Sequence, residues 1–493
     1  MLAGQIAINF AANVFSAAFG LLNVVVFTRF FAPAEFGTYV LGVGFAAIVS
    51  AFLTSWLSLY VTREQARGDG TDVRGVVLPG LFLSCLISPA AYMAARLVGL
   101  DNDAALAAVG LALTVGFFAV SQELLRARLQ AFTLMKATML RAVLVPVLGI
   151  AFTMGGNSGV LLLVSSAVAY LVAALAFTRA AWLGTVIHFD GARLLRVAKG
   201  GMPFTLSLTL LAMSSVIDRF VIAHVIGAPA AGEYTAGADL VRQALIIPAI
   251  SAAAAFFPLA VQILANRGQE AVRSHLDECF ELLLAVVLPA CLGFAIAAPH
   301  IANVILGAEF RSIAIAVMPI VSVAVIFQIL TYQYLHISFL LSGRNAFYLL
   351  STGFVLVFNA VLSYALIVRF GAVGAAWGRL AAELFGFFSA LVLTRWAFPI
   401  PLSYRRLGRV MLATIVMAVV VRGADLALAV PDRDALAILM PVGIASYLAM
   451  CWILDIAKTR DHVNRILLTA RNILRFKDKR LVASEKTSVK DPR

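Results

Sequence analysis

Charge is scarce in this chain. Only 13% of its 493 residues are Asp, Glu, Lys or Arg, about half the share of an ordinary soluble protein. Acidic residues are scarcer still, 25 against 38 basic ones. A soluble chain of this length needs charge over most of its surface, so a cytosolic enzyme and a disordered chain are both excluded. Cysteine is nearly missing as well. Cys85, Cys279, Cys291 and Cys451 sit in or beside apolar runs and match no zinc spacing, which excludes a disulfide scaffold and reads them as small hydrophobes. The six histidines are scattered, and no HExxH, GxSxG or Walker sequence occurs. No metal site, no cofactor, no catalytic residue and no ATP hydrolysis are expected, and the chain is read as not an enzyme.

Apolar residues are abundant, at 62% of the chain, and the mean hydropathy is +0.97. The pattern predicts an all-α polytopic membrane protein. About 20 mainly apolar residues make one span. Fourteen such segments lie near 3–28, 37–60, 76–96, 104–122, 139–154, 159–178, 203–226, 233–261, 281–298, 312–336, 347–368, 372–394, 409–422 and 435–457. The first is not read as a cleaved signal, because no basic residue precedes Arg29 and Gln5, Asn9 and Asn13 interrupt it.

Charge sets the orientation. With the N-terminus inside, the inner loops hold 18 Lys or Arg, counting Arg141 at the start of the fifth span, and the tail 458–493 adds 11. The outer loops hold 6. This positive-inside bias predicts both termini in the cytoplasm of a multi-pass inner-membrane protein. The basic tail contains a single aromatic residue, Phe476, so its partners are read as anionic lipids and not nucleic acid.

Two stretches repeat at an offset near 195 residues. FFAPAEFGTYVLG (30–42) resembles VIGAPAAGEYTAG (225–237), so that Gly37 and Tyr39 match Gly232 and Tyr234. AFTR ending at Arg179 and LVLTR ending at Arg395 close the sixth span of each half. The predicted architecture is therefore two six-helix lobes, parallel repeats around a central cavity, plus two extra C-terminal helices. The units are an N-terminal lobe 1–182, a linker 183–202, a second lobe 203–398, two added helices in 399–457 and the basic tail 458–493. Repeats with a site between them are typical of alternating-access transporters.

The run SSVIDRFVIAHVIGAPAAGEYTAGADLVRQ (214–243) resembles the seventh-to-eighth-span signature of bacterial polysaccharide flippases. These belong to the multidrug/oligosaccharidyl-lipid/polysaccharide exporter superfamily. APHIANVILGAEFRSIAI (298–315) and LLSGRNAFYLL (340–350) resemble two later links of the same family, and the resemblance covers roughly residues 1–400. It implies two lobes around a cavity open to either face in turn, and export of a lipid-linked oligosaccharide. Membrane lipids and other polysaccharide assembly proteins are the further partners it implies.

Six ionisable residues interrupt the spans: Asp218, Arg219, Asp239, Arg242, Arg379 and Glu383. Each costs roughly 2.5–3.5 kcal/mol on insertion scales if unpaired. Their charges sum to zero, which favours pairing. Depths along an antiparallel hairpin predict Asp218–Arg242 and Arg219–Asp239, and the i,i+4 spacing predicts Arg379–Glu383. Any arginine left over would meet a phosphate, whose oxygens suit its planar fork. Asp218, Asp239 and Glu383 are read as structural partners or as sites for a coupling ion.

Span one carries a polar stripe, Gln5, Asn9, Asn13, Ser16, Gly20 and Asn23, at helical steps of four and three. It reads as one wall of a hydrated cavity for sugar hydroxyls, the alternative being bonds to neighbouring helices. Gln328, with Thr331, Tyr332 and Gln333, is expected to add to that lining. The expected activity is the flipping of an undecaprenyl-pyrophosphate-linked oligosaccharide for surface polysaccharide (exopolysaccharide or lipopolysaccharide) biosynthesis. The alternatives are a drug or metabolite antiporter of the same superfamily and a membrane polymerase or ligase acting on the same glycolipid. The outer loops, about a dozen residues at most, leave little room for the last.

Overall fold

Sixteen α-helices and no strand build the described residues of the computed structural model, which are 2–67, 73–156, 158–182, 190–254, 256–428 and 430–460. The first half holds α1 (Leu2–Phe30), α2 (Pro33–Arg67), α3 (Arg74–Leu86), α4 (Ser88–Leu97), α5 (Asn102–Ala127), α6 (Ala131–Thr153) and α7 (Gly159–Trp182). The second holds α8 (Gly191–Val225), α9 (Ala228–Ala253), α10 (Phe256–Ile305), α11 (Arg311–Ile329), α12 (His336–Leu341), α13 (Asn345–Phe370) and α14 (Ala372–Thr394). Two more, α15 (Tyr404–Ala427) and α16 (Asp432–Leu454), follow.

Thirteen of the fourteen apolar segments of the sequence fall mainly on one helix or one broken helix, and the eighth, 233–261, runs past the end of α9 into the first turns of α10. Eleven helices are long and apolar enough to cross a membrane, and the bent pair α3–α4, turned by 42°, makes twelve. The bend follows from Pro89 in the first turn of α4, which has no N–H to carry the helix through. The other two segments are α1, whose apolar stretch is Val14–Phe30, and α9, where Asp239, Arg242 and Gln243 break the apolar run. The 50 residues of α10 are two helices joined at Gly268, whose φ of 80° stops the first. The tenth span runs from α11 through a π-helical turn, Leu330–Leu335, into α12. It places Gln328, Tyr332 and Gln333 around a local widening of the helix.

The packing repeats as the sequence does. In the first half α1 packs on α6, α2 on α5, and α7 on both α5 and α6. In the second, α8 packs on α13, α9 on α11, and α14 on both α11 and α13. Counted by span these are the same pairings, so the protein is built from two six-helix lobes of one design. Between lobes, α1 meets α9 and α2 meets α8, contacts that interchange when the halves are swapped, and α2 meets α9 on the axis.

Glycine permits the closest of these approaches. A Cβ on Gly232 would lie 2.5 Å from the carbonyl oxygen of Pro33 and 2.9 Å from the nitrogen of Gly37, and one on Gly37 would overlap the carbonyl of Ala228. The two members of the repeat thus touch backbone to backbone at the starts of α2 and α9. Beside them Arg29 Nη2 donates to the carbonyl of Val304 at 2.5 Å, and the Phe36 and Phe310 rings meet edge to face at 5.5 Å. The lobes are sealed at this face.

The helices α15 and α16 lean on α10 through Met417, Val421, Ala435 and Leu439. They are also pinned at both ends. At one end Arg406 pairs with Asp277 at 2.7 Å and with Glu281. At the other, His300 bridges Asp425 and Asp432, at 2.7 Å each.

Candidate substrate cavity and charged cluster

The polar face of α1 looks into the first lobe. Ser16, Gly20 and Asn23 line a cavity of about 500 Å³ bounded by α2, α5, α6 and α7. The second lobe closes it through Gln243 of α9, whose amide lies where a Cβ on Gly20 would be. Asn23 Oδ1 is buried there with no hydrogen-bond partner among the described residues. Tyr39 and Ser166 face each other across 3.5 Å on the same wall. The side chains of Gln5, Asn9 and Asn13 lie outside the described residues.

A second cavity of about 540 Å³ continues between α1, α5, α6 and α7, lined by Gln122, Thr138 and Arg126. Ser16, Arg141 and Tyr170 belong to both. Arg141 therefore stands at the waist of one continuous space, donating to Ser16 Oγ at 2.5 Å and to the Tyr170 hydroxyl at 3.0 Å. Among the described residues it has no carboxylate partner. This corrects the inner-loop placement of Arg141. Its helix begins at Ala131, eight residues before the apolar run does, which puts the guanidinium about 15 Å along the helix. The missed signal was the mixed stretch 131–138, which a hydropathy criterion excludes although Ala, Leu, Met and Lys all favour helix.

The six intramembrane charges gather in the second lobe. Arg219 Nη2 meets Asp239 Oδ1 at 2.6 Å, and Arg379 Nε lies 3.1 Å from Glu383 Oε1. Both pairings are those expected from the sequence. The third is not. Asp218 turns away from Arg242 and pairs with Arg379 Nη1 at 3.3 Å, while accepting from the Tyr234 hydroxyl at 3.0 Å and from the amide of Asn359 at 2.5 Å. Successive residues on a helix point about 100° apart. With Arg219 aimed at α9, Asp218 is turned to the α13–α14 side, where Asn359 and Arg379 wait. Arg242 donates instead to the carbonyl of Ser215 at 2.6 Å.

Asn359 was not anticipated, because an amide carries no charge to be balanced. It is held by Ser363 Oγ at 2.9 Å one turn along α13 and reaches Asp218 as the lobe closes. Asp218, Arg379 and Glu383 are only 4%, 4% and 1% exposed, so this cluster is dry. Neither carboxylate oxygen of Glu383 carries a hydrogen bond. The crevice that Arg219, Arg242, Arg379 and Gln328 line holds about 10 Å³, room for roughly one water. Thr331 is fully buried nearby with its hydroxyl unpartnered. The two lobes thus differ in content: one encloses a roomy cationic cavity, the other a packed ionic core. Among the described residues no group of three or more His, Cys, Asp or Glu is placed to hold a metal.

A two-lobed bundle of fourteen helical segments with a cavity inside one lobe defines a class, that of polytopic membrane proteins built from repeated halves. A family model described as polysaccharide biosynthesis protein matches residues 26–315, and the chain belongs to that family. Its fold is shared with solved structures of a lipid II flippase and of MOP superfamily transporters. An inward closed structure of the lipid II flippase MurJ superposes with a TM-score of 0.77 at 14% identity, covering 92% of this chain and 100% of that one. An inward-facing multidrug resistance MATE transporter gives 0.60 at 17% identity, covering 80% of this chain and 95% of the other. A related transporter from Pyrococcus furiosus gives 0.56 at 16%, with the same coverage. No curated protein matches the chain.

Proposed function

We propose that this protein flips a lipid-linked oligosaccharide, carried on undecaprenyl pyrophosphate, from the cytoplasmic to the outer leaflet of a bacterial inner membrane by alternating access. The observation that carries the reading is the continuous first-lobe cavity, polar groups set in a largely apolar wall, with a guanidinium at its waist that has no carboxylate partner among the described residues. A sugar head cannot cross hydrocarbon bare, since each unsatisfied hydroxyl costs several kcal/mol there. Ser16, Asn23, Ser166 and Gln243 offer it both donors and acceptors, and Arg141 offers the diphosphate a planar fork. Arg219 and Arg379, expected at first to meet the phosphates, are engaged by carboxylates. Arg242, bonded to a carbonyl and without a carboxylate partner among the described residues, lies in the narrow second-lobe crevice and not on the cavity that Arg141 lines. Asp218 and Asp239 act as structural partners, and Glu383, whose one ionic partner among the described residues is Arg379, is the acid we assign to a coupling proton. Membership of a polysaccharide biosynthesis family supports this cargo over a small drug or metabolite. Both termini are assigned to the cytoplasm, so a reporter inserted at Ala228 is expected to read as external and one at Ala192 as cytoplasmic.

The test is reconstitution in liposomes with an undecaprenyl-pyrophosphate oligosaccharide bearing a fluorophore on its sugar, quenched by an impermeant reductant. The protein is expected to expose the inner-leaflet pool, leaving no protected fluorescence. Arg141→Ala is expected to slow that exposure at least tenfold at equal protein yield, about 1.4 kcal/mol or more of lost stabilisation. Protected fluorescence unchanged by the wild-type chain would overturn the cargo. Independently, cysteines at Ser16 and Asn23 in a cysteine-free background are expected to react with a small charged thiol reagent, and one at lipid-facing Leu22 is not. Equal reaction at all three would remove the cavity wall.

A further inference from the structure

A third cavity, of about 370 Å³, lies at the arginine-rich end of the bundle, between the last turns of α2 and the first turns of α8. It is separate from the first-lobe cavity and shares no residue with it. Three guanidiniums line it: Arg63 from the first lobe, and Arg193 and Arg196 from the second. Among the described residues Glu64 is the only acid on its walls. The cavity therefore carries a surplus of positive charge drawn from both lobes at the place where they meet.

The walls are preorganised. Arg193 Nη2 donates to the Tyr60 hydroxyl at 2.9 Å, and its backbone N–H is capped by Asp190 Oδ1 at 2.9 Å. The Trp56 indole N–H is taken by the carbonyl of Leu53 at 2.9 Å, and its side chain packs against Gly201, where a Cβ would lie 2.7 Å from Trp56 Cβ. Gly200 opens the mouth, since a Cβ there would meet nothing within 4 Å. Arg63 and Arg196 have no hydrogen-bond or ion-pair partner among the described residues. Like charges converging on one hollow repel, and an anion seated among them reverses the sign of the interaction. Guanidinium forks select phosphate oxygens, two bonds at a time.

We infer that this interlobe hollow is a binding site for a phosphate-bearing ligand, and that its occupancy draws the ends of α2 and α8 together. Position and size favour the phosphate of an anionic membrane lipid as the source. Arg63 stands one turn before the end of α2 and Arg193 in the first turn of α8, the depth at which lipid phosphates lie. The hollow is larger than one phosphate needs and adds apolar wall from Trp56, Leu59 and Val197, which suits a headgroup entering with its glycerol end. A soluble phosphate is the other source of the same chemistry. The site does not depend on which cargo the first-lobe cavity carries.

The full chain, purified in a neutral detergent, is to be melted in the presence of inorganic pyrophosphate and, separately, of phosphatidylglycerol or zwitterionic phosphatidylcholine, whose phosphate charge is offset by its choline. Phosphatidylglycerol is expected to raise the midpoint where phosphatidylcholine does not, and Arg193→Gln with Arg196→Gln is expected to abolish the difference. Gly200→Leu, which fills the mouth without removing charge or displacing backbone, is expected to abolish it too. A rise with pyrophosphate alone, lost in the same variants, assigns the site to a soluble phosphate and keeps the inference. No rise with either ligand, or a rise that survives both the arginine pair and Gly200→Leu, overturns it. If the arginine variant fails to fold, Gly200→Leu decides by itself.

Discussion

Replacing Arg379 by alanine is expected to deplete folded protein more than any other single change in the second lobe. Its guanidinium is shared by Asp218, Glu383 and the carbonyl of Ser214, at 3.3, 3.1 and 3.0 Å. Removing it leaves two carboxylates in a dry cluster with no counter-charge between them. Breaking a buried pair through one partner costs about 3–5 kcal/mol, a large part of the 5–15 kcal/mol that holds most folded proteins together. Asp218 retains Tyr234 and Asn359. Glu383 retains nothing, so it must protonate or the lobe must open. Folded yield by fluorescence-detected gel filtration and the melting midpoint in detergent measure the effect. Arg242→Ala is the internal comparison and is expected to cost less, because Arg242 bonds a neutral carbonyl. Arg379→Gln combined with Asp218→Asn and Glu383→Gln removes all three charges together and is expected to recover much of the yield. Equal losses from Arg379→Ala and Arg242→Ala would mean that Asp218 depends on Arg242 after all.

Gly232→Leu is expected to hold the sealed face open. Its Cβ would press on the carbonyl of Pro33 and on the backbone of Gly37. Both neighbours are main chain, so neither can swing aside as a side-chain tip can, and overpacking of this kind costs about 1–3 kcal/mol. The cost falls on one closed arrangement of the lobes. Their separated arrangement is relieved of it, so the equilibrium between the two shifts. Asn23 lies about 10 Å below the end of α1 at that face. A cysteine at Asn23 is expected to become accessible from outside to an impermeant thiol reagent in Gly232→Leu, and transport is expected to fall. Gly110→Leu is the control, since a Cβ there meets nothing within 4 Å. External labelling unchanged by Gly232→Leu would show that the glycine contact does not govern the seal.

Much of the fold is legible in the sequence because a bilayer imposes simple accounting on it. Backbone groups must be satisfied within each segment, so long apolar runs are helices, and each of the fourteen runs falls mainly on helix. The Gly-x-Tyr repeat was legible as well. What could not be read from it was that Gly37 and Gly232 touch each other, because a repeat in the chain gives no distance between its copies. The spans' ends were less legible. In α6 and α8 the helix starts eight and twelve residues before the apolar run, since polar and basic residues continue a helix through the headgroup region as readily as apolar ones. Arg141 was misplaced for that reason alone.

Read as a sequence, the chain is already a helical membrane protein of repeated halves, and six charges within its spans had to be compensated. Composition and the desolvation of charge suffice for both conclusions, and neither needs a neighbour. Which charges compensate which is settled in part by how the helices pack. Arg219–Asp239 and Arg379–Glu383 follow from depth and helical spacing. The partner of Asp218 follows from the rotation of α8 about its own axis, which is set by packing against α2, α9 and α13. That packing also decided that the second lobe is filled by its ions while the first stays hollow around Arg141. The volume left between helices depends on every side chain that meets there, and no one segment of the chain contains that sum.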